Sequence, residues 1–121
     1  MTRTVAVGGV EYRIEASQRE GRWTAIARRT DTAARQGPPV GGASEDDAVT
    51  RMTAWLEWQH EHTVALEALQ QAERAYQRII AGSAFLSGPE GPSSIELQKE
   101  ALARLEDARL RLDEVRQRKP E

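Results

Sequence analysis

The residues best suited to chemistry form one short polar cluster, Glu57-Trp58-Gln59-His60-Glu61-His62. Glu57 and His60 have the Glu-x-x-His spacing that places a carboxylate and an imidazole on one face of a bundle helix, where they can ligate iron or manganese. Glu61 could add a third ligand. A di-metal site needs a second such motif, and the chain contains no other Glu-x-x-His. We therefore predict a solvated helix face here, without a bound metal.

His62 lies on the apolar side of the same predicted helix, and we expect it to pack there, with a pH-sensitive contact as the alternative. His60 and His62 are two residues apart, so they cannot both face one ligand on a helix. The chain has no cysteine, which excludes disulfides, thiolate metal sites and a cysteine nucleophile. No nucleophile with its base, phosphate loop or dinucleotide fingerprint is present. We predict a non-enzymatic protein without a cofactor.

Charge is distributed unevenly along the chain. The 17 basic and 19 acidic residues give a net charge of −2, which disfavours binding of nucleic acid by the whole molecule. Residues 1–43 alone carry seven arginines against four acids, a balance of +3. Only two basic residues of the chain are lysines, which fits the codon usage of a GC-rich, bacterial genome. The candidate patch for an anion or a nucleic acid consists of Arg13, Arg22, Arg28 and Arg29.

Neither a signal peptide nor a membrane span is indicated by the sequence. The apolar run at the start of the chain is too short for a signal peptide, and no window approaches the roughly 18 apolar residues of a membrane helix. We expect a soluble, cytoplasmic protein with no membrane partner.

The first 43 residues are predicted to form β structure. Apolar and charged residues alternate over residues 10–16, the period-two pattern of a half-buried strand. Residues 17–21 predict a turn, and residues 23–28 predict a second strand that pairs antiparallel with the first. Either face of this second strand could point inward, and we favour the face that carries Trp23 because that side chain is the largest.

Two further strands are possible at the margins of this hairpin. Residues 5–7 are followed by Gly8-Gly9, which permits a tight two-residue hairpin. Residues 32–40 could add another strand, but Pro38-Pro39 removes two hydrogen-bond donors and confines it to an edge of the sheet.

A long helix is predicted next, because the 39 residues between Gly42 and Gly82 include neither Gly nor Pro. Ser44 is its predicted N-cap, with Asp47 as a variant of the capping box. The apolar arc is broad up to about His62, as in a helix that lies on a sheet, and narrow beyond it, as in a helix that packs on another helix. The predicted seam consists of Ala48, Met52, Trp55, Gln59, His62, Leu66, Leu69, Glu73, Tyr76 and Ile80.

A second helix is predicted from a capping box at Ser93 and Glu96 to about Arg118. The preceding residues 82–94 are rich in Gly and Pro and are predicted to break the chain, with Phe85-Leu86 as their apolar anchor. We expect the second helix to fold back antiparallel on the first. Its predicted stripe consists of Ala101, Leu105, Ala108, Leu112 and Val115, flanked by Ile95, Leu97 and Leu102. Leu110 lies off this stripe and indicates a second interface.

These elements predict an α+β fold: a small antiparallel sheet of two to four strands on a long helix, followed by a second helix in a coiled-coil-like antiparallel hairpin. We divide the chain into a sheet-plus-helix module over residues 1–62 and a helical hairpin over residues 63–121. Both parts are expected to form one cooperative unit, because 121 residues are too few for two independent cores.

Residues 12–60 resemble a known structural unit. The run Gly21-Arg22-Trp23-Thr24-Ala25-Ile26-Ala27 and the helix start Gly41-Gly42-Ala43-Ser44-Glu45-Asp46-Asp47-Ala48 are similar to the strand-strand-strand-helix unit of HicB-like antitoxin domains. The chain departs from that family in Pro38-Pro39, in the missing Pro-Gly-Cys turn and in the absence of a DNA-reading C-terminal element. The same outline is similar to AP2-type DNA-binding domains. The resemblance implies a fold and no functional residues.

The leading functional hypothesis is protein–protein interaction or self-association, as an antitoxin-like, scaffold or adaptor protein, because the apolar seam is longer than its sheet. The partner would be another protein or a second copy of the chain. The second hypothesis is a nucleic-acid-binding accessory protein that uses the arginine-bearing hairpin. The candidate interface consists of Trp58, His62, Leu66, Leu69, Tyr76, Ile80 and Leu110.

Overall fold

The structure is a computed structural model that describes the backbone of residues 2–85 and 91–120 and the side chains of residues 2–82 and 95–120. The fold is α+β, as predicted: a four-stranded antiparallel sheet packs on the first of two helices. The elements in chain order are β1 (Thr2–Val7), β2 (Val10–Arg19), β3 (Arg22–Arg29), β4 (Arg35–Gly42), α1 (Glu45–Phe85) and α2 (Gly91–Gln117).

The chain divides into two compact units. The first comprises Met1–His60 with Lys119–Glu121, and the second comprises Glu61–Arg118. Helix α1 therefore contributes its first part to one unit and its remainder to the other. The predicted division into a module over residues 1–62 and a hairpin over residues 63–121 stays a prediction.

The sheet has the strand order β1-β2-β3-β4, so each strand pairs with its neighbour in sequence. The predicted hairpin at Gly8-Gly9 is confirmed, since Val7 pairs with Val10 across a two-residue turn. The predicted turn over residues 17–21 is wrong in its extent. Strand β2 continues to Arg19, which pairs with Arg22, and the turn itself contains two residues, Glu20 and Gly21.

Strand β4 lies at an edge of the sheet, as predicted from Pro38-Pro39. It pairs with β3, and the register shifts between Ala25 and Ala27 of β3, which marks a β-bulge. A bulge re-aims the side chains that follow it, so the register of β4 depends on this irregularity.

The core of the first unit lies between the sheet and the first part of α1. The favoured inward face of β3 is confirmed, because Ala25 and Ala27 are fully buried and Trp23 is partly buried against the core. The buried residues of the core are Val7, Ile14, Ala16, Ala25 and Ala27 from the sheet and Ala48, Val49, Met52 and Leu56 from α1.

The start of α1 is capped as predicted. The Asp47 backbone N–H donates to the Ser44 hydroxyl at 3.1 Å, and the Asp47 carboxylate accepts from the Ala43 backbone N–H at 2.8 Å. The bond from Ala43, with the nearby positive charge of Arg51, holds the pKa of Asp47 below its usual value. An ionised carboxylate at this position also complements the positive end of the helix dipole.

Both helices are longer than predicted at the connection between them. Helix α1 continues through Gly82 to Phe85, and α2 begins at Gly91, two residues before the predicted cap at Ser93. A single glycine in a helix costs about 1 kcal/mol relative to alanine. This cost is too small to end a helix that packs on a neighbouring element. Pro92 is compatible with a first helical turn. Leu86, part of the predicted apolar anchor, lies outside the described residues.

The second unit is a helical hairpin, as predicted. Arg118 near the end of α2 forms an ion pair at 3.6 Å with Glu61, while Ala72 and Ile79 of α1 line a small cavity together with Ala101 of α2. The end of α2 thus lies beside Glu61, and the beginning of α2 lies beside later residues of α1, so the two helices are antiparallel. The buried residues of this hairpin are Ala65 of α1 and Ala101, Leu105, Leu112 and Val115 of α2. The four residues of α2 belong to the predicted stripe, whose fifth member, Ala108, is half-buried. The predicted flanking residues Ile95, Leu97 and Leu102 are exposed.

The contact between Gly37 and Trp55 leads to a stability prediction. Gly37 has φ +77°, and a Cβ at this position would overlap the six-membered ring of Trp55. Gly21 has nearly the same φ, +78°, but no atom lies within 4 Å of the position of its Cβ. We expect Gly21→Ala to lower the free energy of unfolding by about 1 kcal/mol through backbone strain. Gly37→Ala should cost about 1–3 kcal/mol more because it also displaces the indole ring.

Urea denaturation of both variants measures the difference. Gly21→Ala is the matched control for the backbone term. An equal decrease in the free energy of unfolding in the two variants would show that the packing of the Trp55 ring does not require a glycine at position 37.

Candidate functional site

The face of the sheet opposite to α1 has a polar and basic character. Side chains alternate along a strand, so the residues between the core positions lie on this second face, which we call the open face. Its residues are Thr2, Thr4, Ala6, Glu11, Arg13, Glu15, Ser17, Arg19, Arg22, Thr24, Ile26, Arg28 and Arg35.

Three arginines stand side by side on the open face. Arg13 of β2 is directly opposite Arg28 of β3, and Arg28 is directly opposite Arg35 of β4. We call these three residues the arginine row. Directly opposite residues have their Cβ atoms about 4.5–5.5 Å apart, and like charges in such positions destabilise a sheet. The row therefore works against folding stability.

A second like-charged pair lies at the end of the β2–β3 hairpin. Arg19 and Arg22 are directly opposite each other next to the turn, on the same face as the arginine row. The open face thus carries five arginines and two carboxylates, Glu11 and Glu15. Both carboxylates flank Arg13 along β2. The remaining polar groups are hydroxyls of serine and threonine, which can donate hydrogen bonds to an anion.

Arginines elsewhere in the sheet are paired with acids. Arg3 contacts Asp46 at 2.7 Å, and Arg29 contacts Asp31 at 2.9 Å. The hydrogen bond from Arg29 holds the pKa of the Asp31 carboxyl below its usual value, and the same bond raises the pKa of Arg29. The guanidinium of Arg28 on the open face, by contrast, donates to the Ala33 carbonyl at 3.5 Å and to no acid.

The other open-face arginines have even fewer partners. Within the part of the chain that the structure describes, Arg13, Arg19, Arg22 and Arg35 form no hydrogen bond or ion pair. All four are exposed. Their donors are thus available to a ligand, whereas those of Arg3 and Arg29 are engaged.

The structure brings together three of the four arginines of the predicted patch. Arg13, Arg22 and Arg28 share the open face, while Arg29 is opposite Tyr12, on the other face. Sequence reasoning missed Arg19 and Arg35. The alternation of β2 could have placed Arg19, had the strand been extended past residue 16. The position of Arg35 on the open face follows only from the register of β4 against β3.

The side chains of the polar cluster on α1, residues 57–62, differ in exposure and in contacts. Glu57, His60 and Glu61 are exposed, but the imidazole of His60 lies against Gly8 in the β1–β2 turn, which is a contact that the sequence did not predict. Among the described residues, no group of three or more His, Cys, Asp or Glu side chains is placed to hold a metal ion.

The residues of the candidate interface differ in exposure. Trp58, His62, Leu66, Leu69 and Tyr76 are half-buried, whereas Ile80 and Leu110 are 41% and 62% exposed. The ammonium group of Lys119 lies 5.6 Å from the centroid of the Trp58 ring, a cation–π distance. That these residues bind a partner stays a prediction.

No family model, curated protein or solved structure matches this chain. The resemblance to HicB-like domains therefore stays a prediction, as does the cytoplasmic location. Within the described ranges, neither helix combines the length and the apolar character that crossing a membrane requires.

The unpaired arginine row leads to an unusual stability prediction. Replacing Arg28 by Thr removes both like-charged contacts of the row and introduces a residue that favours strands. We expect Arg28→Thr to raise the free energy of unfolding by about 0.5–1 kcal/mol at low salt, measured by urea denaturation. The gain should shrink at about 1 M salt, where charges are screened within about 3 Å.

Arg29→Thr is the matched control on the same strand. It removes an arginine that has an acid partner, so it should not stabilise the protein. A loss of stability in Arg28→Thr at low salt would contradict the repulsion that we assign to the row.

Proposed function

We propose that this protein is a non-enzymatic binding protein whose open face holds the phosphate backbone of a nucleic acid. The arginine row supports this proposal best. Three guanidinium groups in directly opposite positions, with no acid partner, cost stability in the free protein. A bound polyanion would neutralise that repulsion, and arginine is well suited to bind phosphate because its planar fork can donate two parallel hydrogen bonds.

The dimensions of the open face favour a polymer over an isolated phosphate. Neighbouring strands are about 4.8 Å apart, so the row extends over about 10 Å across three strands. Arg19 is six residues from Arg13 along β2, which corresponds to about 20 Å at about 3.3 Å per residue. Phosphates repeated along a chain can reach both groups at once.

The separation of charge within the protein also supports the proposal. The chain carries a net charge of −2, so attraction to phosphate is not a property of the whole surface. A basic face on an otherwise acidic protein orients a polyanion toward that face. That the protein has no enzymatic activity stays a prediction.

Charge removal from the row tests this function. We expect the triple variant Arg13→Gln, Arg28→Gln and Arg35→Gln to weaken binding of labelled oligonucleotides, measured by fluorescence anisotropy at several salt concentrations. Each phosphate contact adds about 0.7–0.9 to the slope of log K against log salt, so the slope should fall by about 2–3.

The matched control removes the same charge from exposed arginines of α2, through Arg104→Gln, Arg109→Gln and Arg111→Gln. It should change the slope much less, because the loss of net charge is the same but the site is intact. Equal effects of the two triple variants would contradict a specific role of the open face.

Self-association through the hairpin is a second candidate function, and it is supported by exposed apolar side chains. Every large apolar side chain that is exposed among the described residues belongs to the second unit. These residues are Val64, Ile80, Ile95, Leu97, Leu102 and Leu110. Exposed apolar side chains that form a patch are typical of an interaction surface. The partner would be a second copy of the chain or another protein.

Sedimentation velocity at micromolar concentration tests self-association. We expect an oligomer that Leu102→Glu with Leu110→Glu converts to a monomer, because two charges would be buried in the interface. Gln77→Glu, at an exposed polar position of α1, is the control and should leave the oligomer intact. A wild-type monomer over the whole concentration range would exclude self-association as the function.

A further inference from the structure

A groove of about 740 Å³ lies in the first unit, beside the edge strand β4. Its walls come from the start of β3, from β4, from α1 and from Lys119 and Pro120. The lining residues that matter here are Trp23, Trp55, Pro38 and Pro39, which are apolar, and Arg22, Arg51 and Lys119, which are basic.

The chemistry of the groove suits a flat, apolar group attached to an anion. Two indole rings and two proline rings offer surfaces on which an aromatic base can stack. Among the described residues, three cations and no carboxylate line the groove. The Arg51 side chain is 54% exposed, and although its Nε lies 3.3 Å from the Asp47 carboxylate, its terminal nitrogens still carry further donors.

The groove is continuous with the open face. Arg22 and Thr24 belong to both surfaces, since they lie on the open face and also line the groove. Gly41 of β4 is directly opposite Thr24, and it presents no side chain between the two surfaces. A nucleic-acid strand whose phosphates contact the open face could therefore place a base in the groove, because no side chain at position 41 separates the two surfaces.

We propose that the groove receives unpaired bases, so that the nucleic acid bound by this protein is single-stranded. This inference rests on the function proposed above and adds the class of ligand. A duplex offers phosphates to the open face, but its bases are stacked on one another and cannot enter a groove. The volume of the groove lies within the range of about 300–1,000 Å³ typical of sites for small ligands, which is ample for a base.

Closing the junction between the two surfaces tests the proposal. A Cβ at Gly41 would have the Trp23 carbonyl oxygen as its nearest neighbour, at 3.8 Å, so a Cβ fits there without displacing the backbone. Gly41→Leu should therefore fold and obstruct the entrance to the groove. Ala6→Leu is the control, since it adds the same side chain to the open face on β1, at the opposite edge of the sheet.

The measurement compares a dT oligonucleotide of about 12 nucleotides with a duplex of the same length, by fluorescence anisotropy at low salt. We expect the single strand to bind at least about tenfold more tightly than the duplex and to quench tryptophan fluorescence. Gly41→Leu should remove most of that advantage without changing duplex binding, and Ala6→Leu should retain it. Arg51→Gln is a second variant that removes a cation from the groove without adding bulk, and it should weaken single-strand binding.

Two results would overturn the inference in different ways. Equal affinity for both oligonucleotides, with no effect of Gly41→Leu or Arg51→Gln but a loss in the triple variant of the arginine row, would reject the groove and keep the open face. No binding of either oligonucleotide would reject both proposals together.

Discussion

The close approach of α1 to the sheet is the constraint on which the rest of the first unit depends. Ala25 and Ala27 of β3 and Ala48 of α1 are fully buried, and a Cβ at Gly42 would meet the backbone of Ala48. Small side chains at these positions bring the helix and the sheet together, which leaves Met52 as one of the few large groups completely enclosed. Larger aromatic groups are thereby displaced to the periphery of the contact.

This close contact sorts the sheet into two chemically different faces. Because one face must be apolar to pack on α1, the alternation of the strands directs the charged residues of β2, and those of β3 except Arg29, to the other face. Acids accompany the two arginines of the sheet that lie outside this second face, in the pairs Arg3–Asp46 and Arg29–Asp31. Within the sheet, the arginines without an acid partner thus lie where packing on α1 does not depend on them, and their cost in stability is confined to that face.

Local patterns predicted the elements well, but they could not predict what depends on register. The alternation around Ile14 and the size of Trp23 were sufficient to identify the inward face of the sheet. By contrast, Arg35 faces Arg28 only because residues 37–39 of β4 form a bulge opposite the single residue Ile26 of β3, and a period-two pattern does not give the number of residues in such a bulge. The two helix ends at the connection also differ from the prediction, because the propensity of Gly82 alone does not show that the helix continues through it.

The two prolines of β4 have a consequence for how the sheet could grow. An edge strand offers unpaired backbone groups to any passing strand, and this sheet has two such edges, β1 and β4. Pro38 and Pro39 have no N–H to donate, so an incoming chain finds an interrupted ladder along β4. Strand addition is therefore favoured at β1, at the opposite edge of the sheet from the groove. Contacts at the β4 edge are then made by side chains and not by a backbone ladder.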